Sequence, residues 1–453
     1  MKRIVLILGI ALLSLNQLRA QSNHPEVLNA YIEEAMESNL MLQQHEMDVQ
    51  VAIQQLKQSR GLFFPDVSLN SDYTIASGGR TLNFPIGDLL NPVYSSLNQL
   101  NGNNAFPTDL QNVNEQFLPD NFHDTRLTIA QPLFNTDIYF GYRAQKALVS
   151  VQEAKLDTYR NELAKELKIA YYQYLQSEYL MDILNENEIL VQELVRLNER
   201  LVENGISTID AVYRARFELS SIESEQAIAI QQNQTAQSYF NFLLNRPLDS
   251  AINYDENESI PLEADSGLNE YIGQALLSRP ELDQLQSGIN AQNELISLAS
   301  ASRLPKASVG ILAGYQGQDY RFTSDEDYRL VQFNISVPIF SGFRKNADIQ
   351  QAKINSKIAE TRLNEVEEQI KLQVIQSKAA LEASFKTYYS SRAQLASAER
   401  FFEIKKRQYE EGQLLLVDYL DAQTQYINSL QQLNITRNQV WVQQAQFEQV
   451  LSL

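Results

Sequence analysis

Few side chains in this sequence have the types and spacings that catalysis or metal binding needs. The 453 residues include no cysteine and three histidines, His24, His45 and His123, no two of which lie four residues apart. Disulfides, thiolate nucleophiles and sulfur-ligated metals are therefore excluded. We also find no nucleophile–histidine–acid set and no phosphate-binding glycine loop. We therefore expect no enzyme activity, no metal site and no bound cofactor.

One pair of carboxylates does have a spacing that could matter. Asp418 and Asp421 lie three residues apart in GQLLLVDYLDAQ, so they would share one face at the start of a helix. Carboxylates at a helix N-terminus are favourable in any protein, because they complement the helix dipole. The same pair could instead act through its concentrated negative charge on ions nearby. The spacing alone leaves both interpretations open.

The charge balance and the first residues indicate where the protein works. The formal net charge is -19 and the pI is about 4.7, which argues against a nucleic-acid partner because such binding needs a basic surface. Residues 1–20 read as a secretory signal peptide, with basic Lys2 and Arg3, an apolar run, and small Ala20 before the expected cleavage site. No later apolar run is long enough for a membrane helix. We expect an exported chain that enters a membrane, if at all, as a β-barrel.

Long stretches without glycine or proline indicate unusually long helices. They are rich in Gln, Glu, Ala, Leu, Lys and Arg, which are strong helix formers. Apolar residues recur at steps of three and four, as in Leu156, Tyr159, Leu163 and Leu167, which is typical of a coiled-coil-like seam. The predicted helices cover residues 136–204, 207–245, 343–411 and 415–451.

Four short segments alternate with a period of two, which predicts strands with one apolar and one polar face. Such strands fit lipid outside and water inside, or an antiparallel sheet lying on a core. Export and the polar Ser, Asn, Gln and Thr face favour the first. Residues 78–123 would be a long, Asn-rich connection at the outer end, either gating the mouth or forming an unstructured insertion. The predicted strands are residues 66–76, 124–134, 306–317 and 328–340.

The chain contains an internal repeat. LNAYIEEAMES from Leu28 and LNEYIGQALLS from Leu268 share six of eleven residues at an offset of 240. The repeat predicts that the same order of elements occurs twice: a helix, a strand pair, a long helix and a returning helix. The first copy would cover residues 21–245 and the second residues 268–453, which begins with helix 268–303. Residues 246–267 would link them.

Each long helix is expected to turn at a glycine, Gly205 in the first copy and Gly412 in the second. Glycine suits the position after a helix end, where φ is positive. The next aspartate follows five residues after Gly205, at Asp210, and six residues after Gly412, at Asp418. The first turn therefore has one residue fewer between its glycine and its aspartate than the second turn has.

These features together resemble the TolC family of outer-membrane efflux proteins. The most specific segments are the strand exits AQPLFNTDIYFGYRAQKA and SVPIFSGFRKNADIQQAK and the turn GQLLLVDYLDAQTQYINSLQQL. The resemblance covers essentially the whole mature chain. It implies a mainly α fold with a small β part. Three protomers would each give four strands to one 12-stranded outer-membrane β-barrel. A long periplasmic α-helical barrel would continue it, with residues 246–267 as the equatorial region and two pseudo-repeats per chain.

The resemblance also implies a function and its partners. The chain would be the outer-membrane exit duct of a tripartite efflux or type I secretion system in a Gram-negative bacterium. It would be a passive channel, opened at its periplasmic tip by a periplasmic adaptor and an inner-membrane pump. The partners are then two further copies in a homotrimer, the adaptor (a membrane fusion protein), the pump and outer-membrane lipid.

Individual residues match positions with known roles in that family. Asp418 and Asp421 match the aspartates that ring the periplasmic constriction, where three copies would attract cations and repel anions. Tyr409 and Asp210 match a hydrogen-bond network that holds the gate closed. The tip that meets the adaptor would contain Gly205, Gly412 and Leu414. Leu414 departs from the arginine of some members and cannot form an ion pair.

One alternative of a different class stays open. A periplasmic coiled-coil adaptor, or a structural protein without a pore, would also be exported and rich in long helices. Such a protein would remain soluble without detergent. It would not need amphipathic strands in repeated pairs.

Overall fold

The computed structural model describes residues 26–255, 260–261 and 267–452. The predicted signal peptide, residues 1–20, lies outside this part, as do residues 256–259 and 262–266 of the predicted linker. The chain divides into two compact units. One unit, the helical unit, comprises the chain up to Gln54, Lys146–Gln292, and the chain from Asn355 onwards; the other, the sheet unit, comprises Gln55–Gln145 and Asn293–Ile354.

The chain is mainly helical with a small β part, which confirms the predicted fold class. No helix of the described residues is both long enough and apolar enough to cross a membrane. The helices are α1 (Glu26–Ser38), α2 (Leu40–Gly61), α3 (Ile86–Asn101), α4 (Thr136–Glu203), α5 (Ile209–Leu243), α6 (Leu268–Ser278), α7 (Pro280–Ala301), α8 (Arg344–Glu410) and α9 (Leu416–Leu451).

The predicted single helix 268–303 is wrong, because the chain breaks there into α6 and α7. Arg279 takes an extended conformation with φ -74° and ψ 116°. Pro280 disfavours helical backbone in the residue before it and then fits the first position of the next helix. The first repeat breaks at the equivalent place, Asn39, whose side-chain oxygen accepts a hydrogen bond of 2.9 Å from the backbone N–H of Leu42.

The core of the helical unit contains the same contacts in both repeats. Tyr31 of α1 packs edge-on against Phe240 of α5, with ring centroids 5.1 Å apart. The edge-on pair between α6 and α9, Tyr271 and Phe447, has a centroid distance of 5.0 Å. The repeated sequence therefore reflects a repeated docking of a short helix on a long one.

The sheet unit contains an antiparallel sheet with the order β1-β4-β5-β6. The register gives it two different faces: an apolar row crosses all four strands at Val67, Ile129, Ile311 and Val331. On the other face, three positions along the strands, a row consists of Asn70, Arg126, Gly314 and Tyr328. The strands are β1 (Asp66–Thr74), β4 (Phe122–Phe134), β5 (Lys306–Gln318) and β6 (Asp327–Ser336).

Two predicted strands extend too far. The strand predicted at 66–76 ends at Thr74, because the backbone N–H of Ala76 donates to the Asp120 carboxylate at 3.0 Å instead of to the sheet. The strand predicted at 328–340 ends at Ser336. Pro338 cannot donate a ladder hydrogen bond, so the chain leaves the sheet there.

The connection 78–123 is folded, which contradicts the interpretation of an unstructured insertion. It contains the two-stranded sheet of β2 (Thr81–Phe84) and β3 (Val113–Gln116), with α3 between them. Asparagine side chains hold it together: Asn98 donates to the Phe106 carbonyl at 2.7 Å and accepts from the Phe106 N–H at 2.8 Å. Asn91 makes the same two kinds of bond to Leu110, each of 2.9 Å. The asparagine content that indicated a loop therefore supplies its internal hydrogen bonds.

Candidate functional site

The two helix–helix turns have the same geometry. Gly205 follows the end of α4 with φ 71°, and Gly412 follows the end of α8 with φ 72°. After each glycine the next backbone N–H reaches back to the helix: Ile206 donates to Leu201 at 2.8 Å, and Gln413 donates to Gln408 at 2.8 Å. Together with the bonds that the glycine N–H groups make, this is the Schellman motif, which satisfies the last carbonyls of a helix.

The two turns are equally long. The helices α5 and α9 begin at Ile209 and Leu416, each four residues after its glycine. The difference lies in the aspartates instead. Asp210 is the second residue of α5, whereas Asp418 is the third residue of α9. Counted from the first residue of each helix, the two carboxylates therefore point in directions about 100° apart.

Asp418 and Asp421 both lie on the exposed face of α9. Their neighbours Tyr419, Leu420 and Ala422 are buried in the cluster between the helices. Asp421 accepts a hydrogen bond of 2.9 Å from Gln425, one helical turn further on. The packing of α9 thus fixes where the paired carboxylates point.

A groove of about 630 Å³ lies between the first turns of α5 and α9. Its polar lining includes Asp210 and Asp421 from the two helices, together with Arg214 and Glu218 of α5. The carboxylate predicted for the gate and one predicted for the constriction therefore line one groove. Arg214 lies 3.7 Å from Glu218, so this cation already has an anionic partner.

Tyr409 does not bond to Asp210 within the protomer; its partner is Asn198. The buried Tyr409 hydroxyl donates to Asn198 Oδ1 at 2.7 Å, which joins the last turns of α8 and α4. Asn198 is fully buried, and its Nδ2 donates to the Leu194 carbonyl at 2.8 Å. Asp210 is exposed and lies beyond the turn. Tyr409 and Asp210 therefore belong to different surroundings in one chain.

An aromatic cluster surrounds this hydrogen bond. The rings of Tyr409 and Tyr419 lie 5.1 Å apart, and Phe402 stacks on Tyr426 at 5.3 Å. Leu414 is half-buried and packs against the same cluster. Leu414 thus contributes an apolar contact within the turn.

Burial changes the acidity of the two tyrosines. Burial raises the pKa of Tyr409, although the hydrogen bond to Asn198 opposes part of this. Burial also raises the pKa of Tyr419, and the nearby carboxylates of Glu410 and Glu193 raise it further. Both side chains therefore stay neutral to higher pH than a solvated tyrosine, and Tyr409 keeps its proton for Asn198.

Sequence reasoning missed Asn198. The pattern that could have revealed it is an asparagine in an otherwise apolar stripe, between Leu194 and Leu201. A polar side chain buried at such a position needs a hydrogen-bond partner. As for metal sites, the described residues contain no group of three His, Asp or Glu side chains arranged to hold an ion.

The sequence matches the family described as Outer membrane efflux protein over residues 31–246 and 271–452. Outer membrane protein TolC of Escherichia coli (strain K12) is 21% identical over 468 residues, covering 99% of this chain and 86% of TolC. Alkaline protease secretion protein AprF of Pseudomonas aeruginosa is 24% identical over 255 residues, covering 53% of this chain and 52% of AprF. The crystal structure of the Campylobacter jejuni CmeC outer membrane channel has a TM-score of 0.74 at 18% identity, over 94% of this chain and 85% of CmeC.

The matched segments cover most of both repeats, so the chain belongs to the outer membrane efflux protein family. The resemblance inferred from the strand exits and the turn is confirmed. The protein is an outer-membrane exit duct of the kind that serves efflux and secretion systems. Channels of this kind are trimeric.

Proposed function

We propose that three copies of this chain form one passive channel, the exit duct of a tripartite efflux or type I secretion system. The observation that carries the proposal is the sheet. Within the described chain each of its edge strands, β1 and β6, pairs with a neighbouring strand on one side only. An unpaired edge is unstable in lipid, where every backbone group must be satisfied. Pairing β6 of one copy with β1 of the next closes three four-stranded sheets into a barrel of 3 × 4 = 12 strands.

The two faces of the sheet fit such a barrel. The row of Val67, Ile129, Ile311 and Val331 would face lipid. The polar row that contains Asn70 and Arg126 would face the water-filled lumen.

Asp418 and Asp421 would form the constriction. Three copies bring 3 × 2 = 6 carboxylates around one axis, on the exposed face of α9. Such a ring raises the local concentration of cations and repels anions. The buried bond from Tyr409 to Asn198 would hold the last turns of α8 and α4 together in the resting state. Asp210 would contact a neighbouring copy instead, because its side chain is exposed and does not bond to Tyr409 of the same chain.

The turns themselves would meet the adaptor. Beside Gly205 and Gly412 they expose apolar side chains: Ile206 is 68%, Leu415 71% and Val417 66% exposed. Exposed apolar residues grouped at one surface are typical of protein-binding sites. An adaptor that binds them, together with its pump, would pull the turns apart and open the passage.

Single-channel current tests this function. The mature protein, purified in detergent, is placed in a planar bilayer under a salt gradient beside the variant Asp418→Ala/Asp421→Ala. We expect small cation-selective currents that grow and lose selectivity in the variant. The variant Glu223→Ala/Glu225→Ala removes the same charge from exposed positions of α5 and should keep the wild-type selectivity.

Two results would count against the proposal. If the double aspartate variant conducts like the wild type, the acidic constriction is wrong although the channel remains. If the protein stays soluble without detergent and never enters the bilayer, the pore-free adaptor or structural protein becomes the better assignment.

A further inference from the structure

The folded segment between β1 and β4, residues 75–121, carries an apolar stripe on α3. We call this segment the loop module. Leu89 is 65% and Leu100 82% exposed, and nothing in the described chain covers them. The apolar residues of the stripe follow one another at steps of three, four, four and three residues, which is the spacing of a coiled-coil seam. The stripe, which we call the α3 seam, consists of Ile86, Leu89, Val93, Leu97 and Leu100.

The rest of the loop module fixes the direction of the α3 seam. The face of α3 that packs on the module carries Gly87, Asn91, Tyr94 and Asn98. A Cβ at Gly87 would lie 2.1 Å from the Leu110 carbonyl oxygen, so the helix rests directly on the returning chain. The Tyr94 ring stacks on Phe106 at 5.5 Å. On a helical wheel this face is about 130° from the seam, so the seam points away from the module.

Hydrogen bonds close the base of the loop module, next to the end of the sheet. Asp120 accepts from the N–H of Ala76 at 3.0 Å, and Gln116 donates to the Ala76 carbonyl at 3.1 Å. The module joins the sheet at the last residue pair of β1 and β4, Thr74 and Phe122. In a trimer each copy would hold its module at the same place on the rim.

The charges indicate what the α3 seam binds. The helix carries one charged residue, Asp88, which lies on the side away from the seam. The module contains one basic residue, Arg80, and four acids, Asp88, Asp109, Glu115 and Asp120, a net charge of 1 - 4 = -3. An acidic module without a basic rim is repelled by anionic lipid headgroups. The seam itself carries no charged residue, so copies of the same helix can pack seam against seam without a charged side chain in the contact.

We propose that the α3 helices of three copies of this chain pack through their seams into a three-helix cap over the outer mouth. This inference rests on the trimeric channel proposed above. A free helix of this length is marginal in water. Its attachment to the rim makes the association intramolecular, at a high effective concentration. The cap would restrict exit through the mouth, independently of the gate at the turns.

Cysteine cross-linking tests the α3 seam directly, because the chain has no cysteine of its own. Leu100→Cys places a thiol in the seam, and Ser95→Cys places one on an exposed position of the same helix about 160° away. Under mild oxidation of purified trimers we expect covalent dimers from Leu100→Cys and few from Ser95→Cys. A three-fold arrangement limits the yield to about two of every three chains. Equal cross-linking of both variants, or none, overturns the cap.

A second measurement follows access to the mouth. Asn70→Cys places a thiol on the polar face of β1, inside the proposed barrel. Its labelling from outside by a bulky polyethylene-glycol maleimide should become several-fold faster when Leu89→Asp/Val93→Asp charges the seam. Labelling by a small maleimide should change little. Bulky-probe labelling that is equally fast in both backgrounds overturns the cap.

Two further readouts separate the causes of failure. Size-exclusion chromatography with light scattering reports the trimer. If the wild-type protein is monomeric, the proposed function fails along with the cap. If it is trimeric but Leu100→Cys does not cross-link, the cap alone is wrong. A polarity-sensitive dye on Leu100→Cys that shifts to the blue only when lipid is added would overturn the cap in favour of a lipid-bound seam.

Discussion

Asn198 of α4 accepts a 2.7 Å hydrogen bond from Tyr409 of α8, and both side chains are buried. The bond joins the two longest helices, one from each repeat. The ring of Tyr419 packs beside that of Tyr409, with centroids 5.1 Å apart. We propose that this contact holds the turns together at rest.

We expect Tyr409→Phe to loosen the turns. The change leaves the buried oxygen of Asn198 without its donor, which costs about 1–3 kcal/mol. The resting single-channel current should rise, and thermal unfolding should begin at a lower temperature. Tyr213→Phe is the control, because Tyr213 is 63% exposed. A variant with the wild-type resting current would show that this bond does not hold the gate.

The glycines of the turns should resist substitution for a backbone reason. Nothing lies within 4 Å of a Cβ built on Gly205 or Gly412, but both have φ near +70°. Gly205→Ala and Gly412→Ala should each cost about 1–2 kcal/mol, because a Cβ is unfavourable in that conformation. Asparagine should be tolerated better at either position.

Gly141→Ala is the matched control for the turn glycines. Gly141 also has open space around its Cβ position, but it lies within α4 at an ordinary helical φ. Alanine there should stabilise the helix by about 0.5–1 kcal/mol. Equal unfolding temperatures for the turn variants and this control would contradict the argument from φ.

A buried ion pair joins α4 and α9 further along the helical unit. Lys168 Nζ lies 2.5 Å from Glu448 Oε2, and the side chains are only 10% and 11% exposed. Lys168→Met alone should destabilise by about 3–5 kcal/mol, because it leaves a buried carboxylate without its cation. Lys168→Met/Glu448→Leu should be close to wild type or more stable. Thermal unfolding of the two variants in detergent measures the difference, and a double variant as unstable as the single one would disprove it.

The repeat in the sequence correctly predicted that equivalent residues of the two copies make equivalent contacts. Ser38 and Ser278, one of the six matched pairs, donate to the Leu244 and Leu451 carbonyls at 2.7 and 2.8 Å. Each serine ends a short helix and caps the end of a long one. Local patterns were sufficient here, because the residue types and their period determine both the helices and their buried faces.

Less of the structure could be predicted where it depends on specific side-chain bonds. The strands β2 and β3 have four residues each, too short for a period to be read. The loop module is held by bonds such as Asn98 to Phe106, which no periodicity reveals. The partner of Tyr409 was missed for the same reason, since Asn198 lies 211 residues away.

The raised pKa values of Tyr409 and Tyr419 predict a response to alkali. Both are raised by burial, so the folded protein holds these protons to higher pH than the unfolded chain, whose tyrosines ionise near pH 10. The stability from burying the neutral phenols is therefore complete below about pH 10. It is lost as the pH rises through the folded pKa values, because the unfolded state then binds fewer protons than the folded state.

The same titration should open the gate. Ionised Tyr409 has no proton to donate to Asn198, and its charge is unfavourable inside the aromatic cluster. We expect the wild-type resting current to rise, and the unfolding temperature to fall, as the pH increases above about 10. Tyr409→Phe/Tyr419→Phe should show a higher current at neutral pH and a flatter alkaline response, whereas Tyr213→Phe should follow the wild type. An equally steep alkaline rise in the double variant would assign the response to other groups.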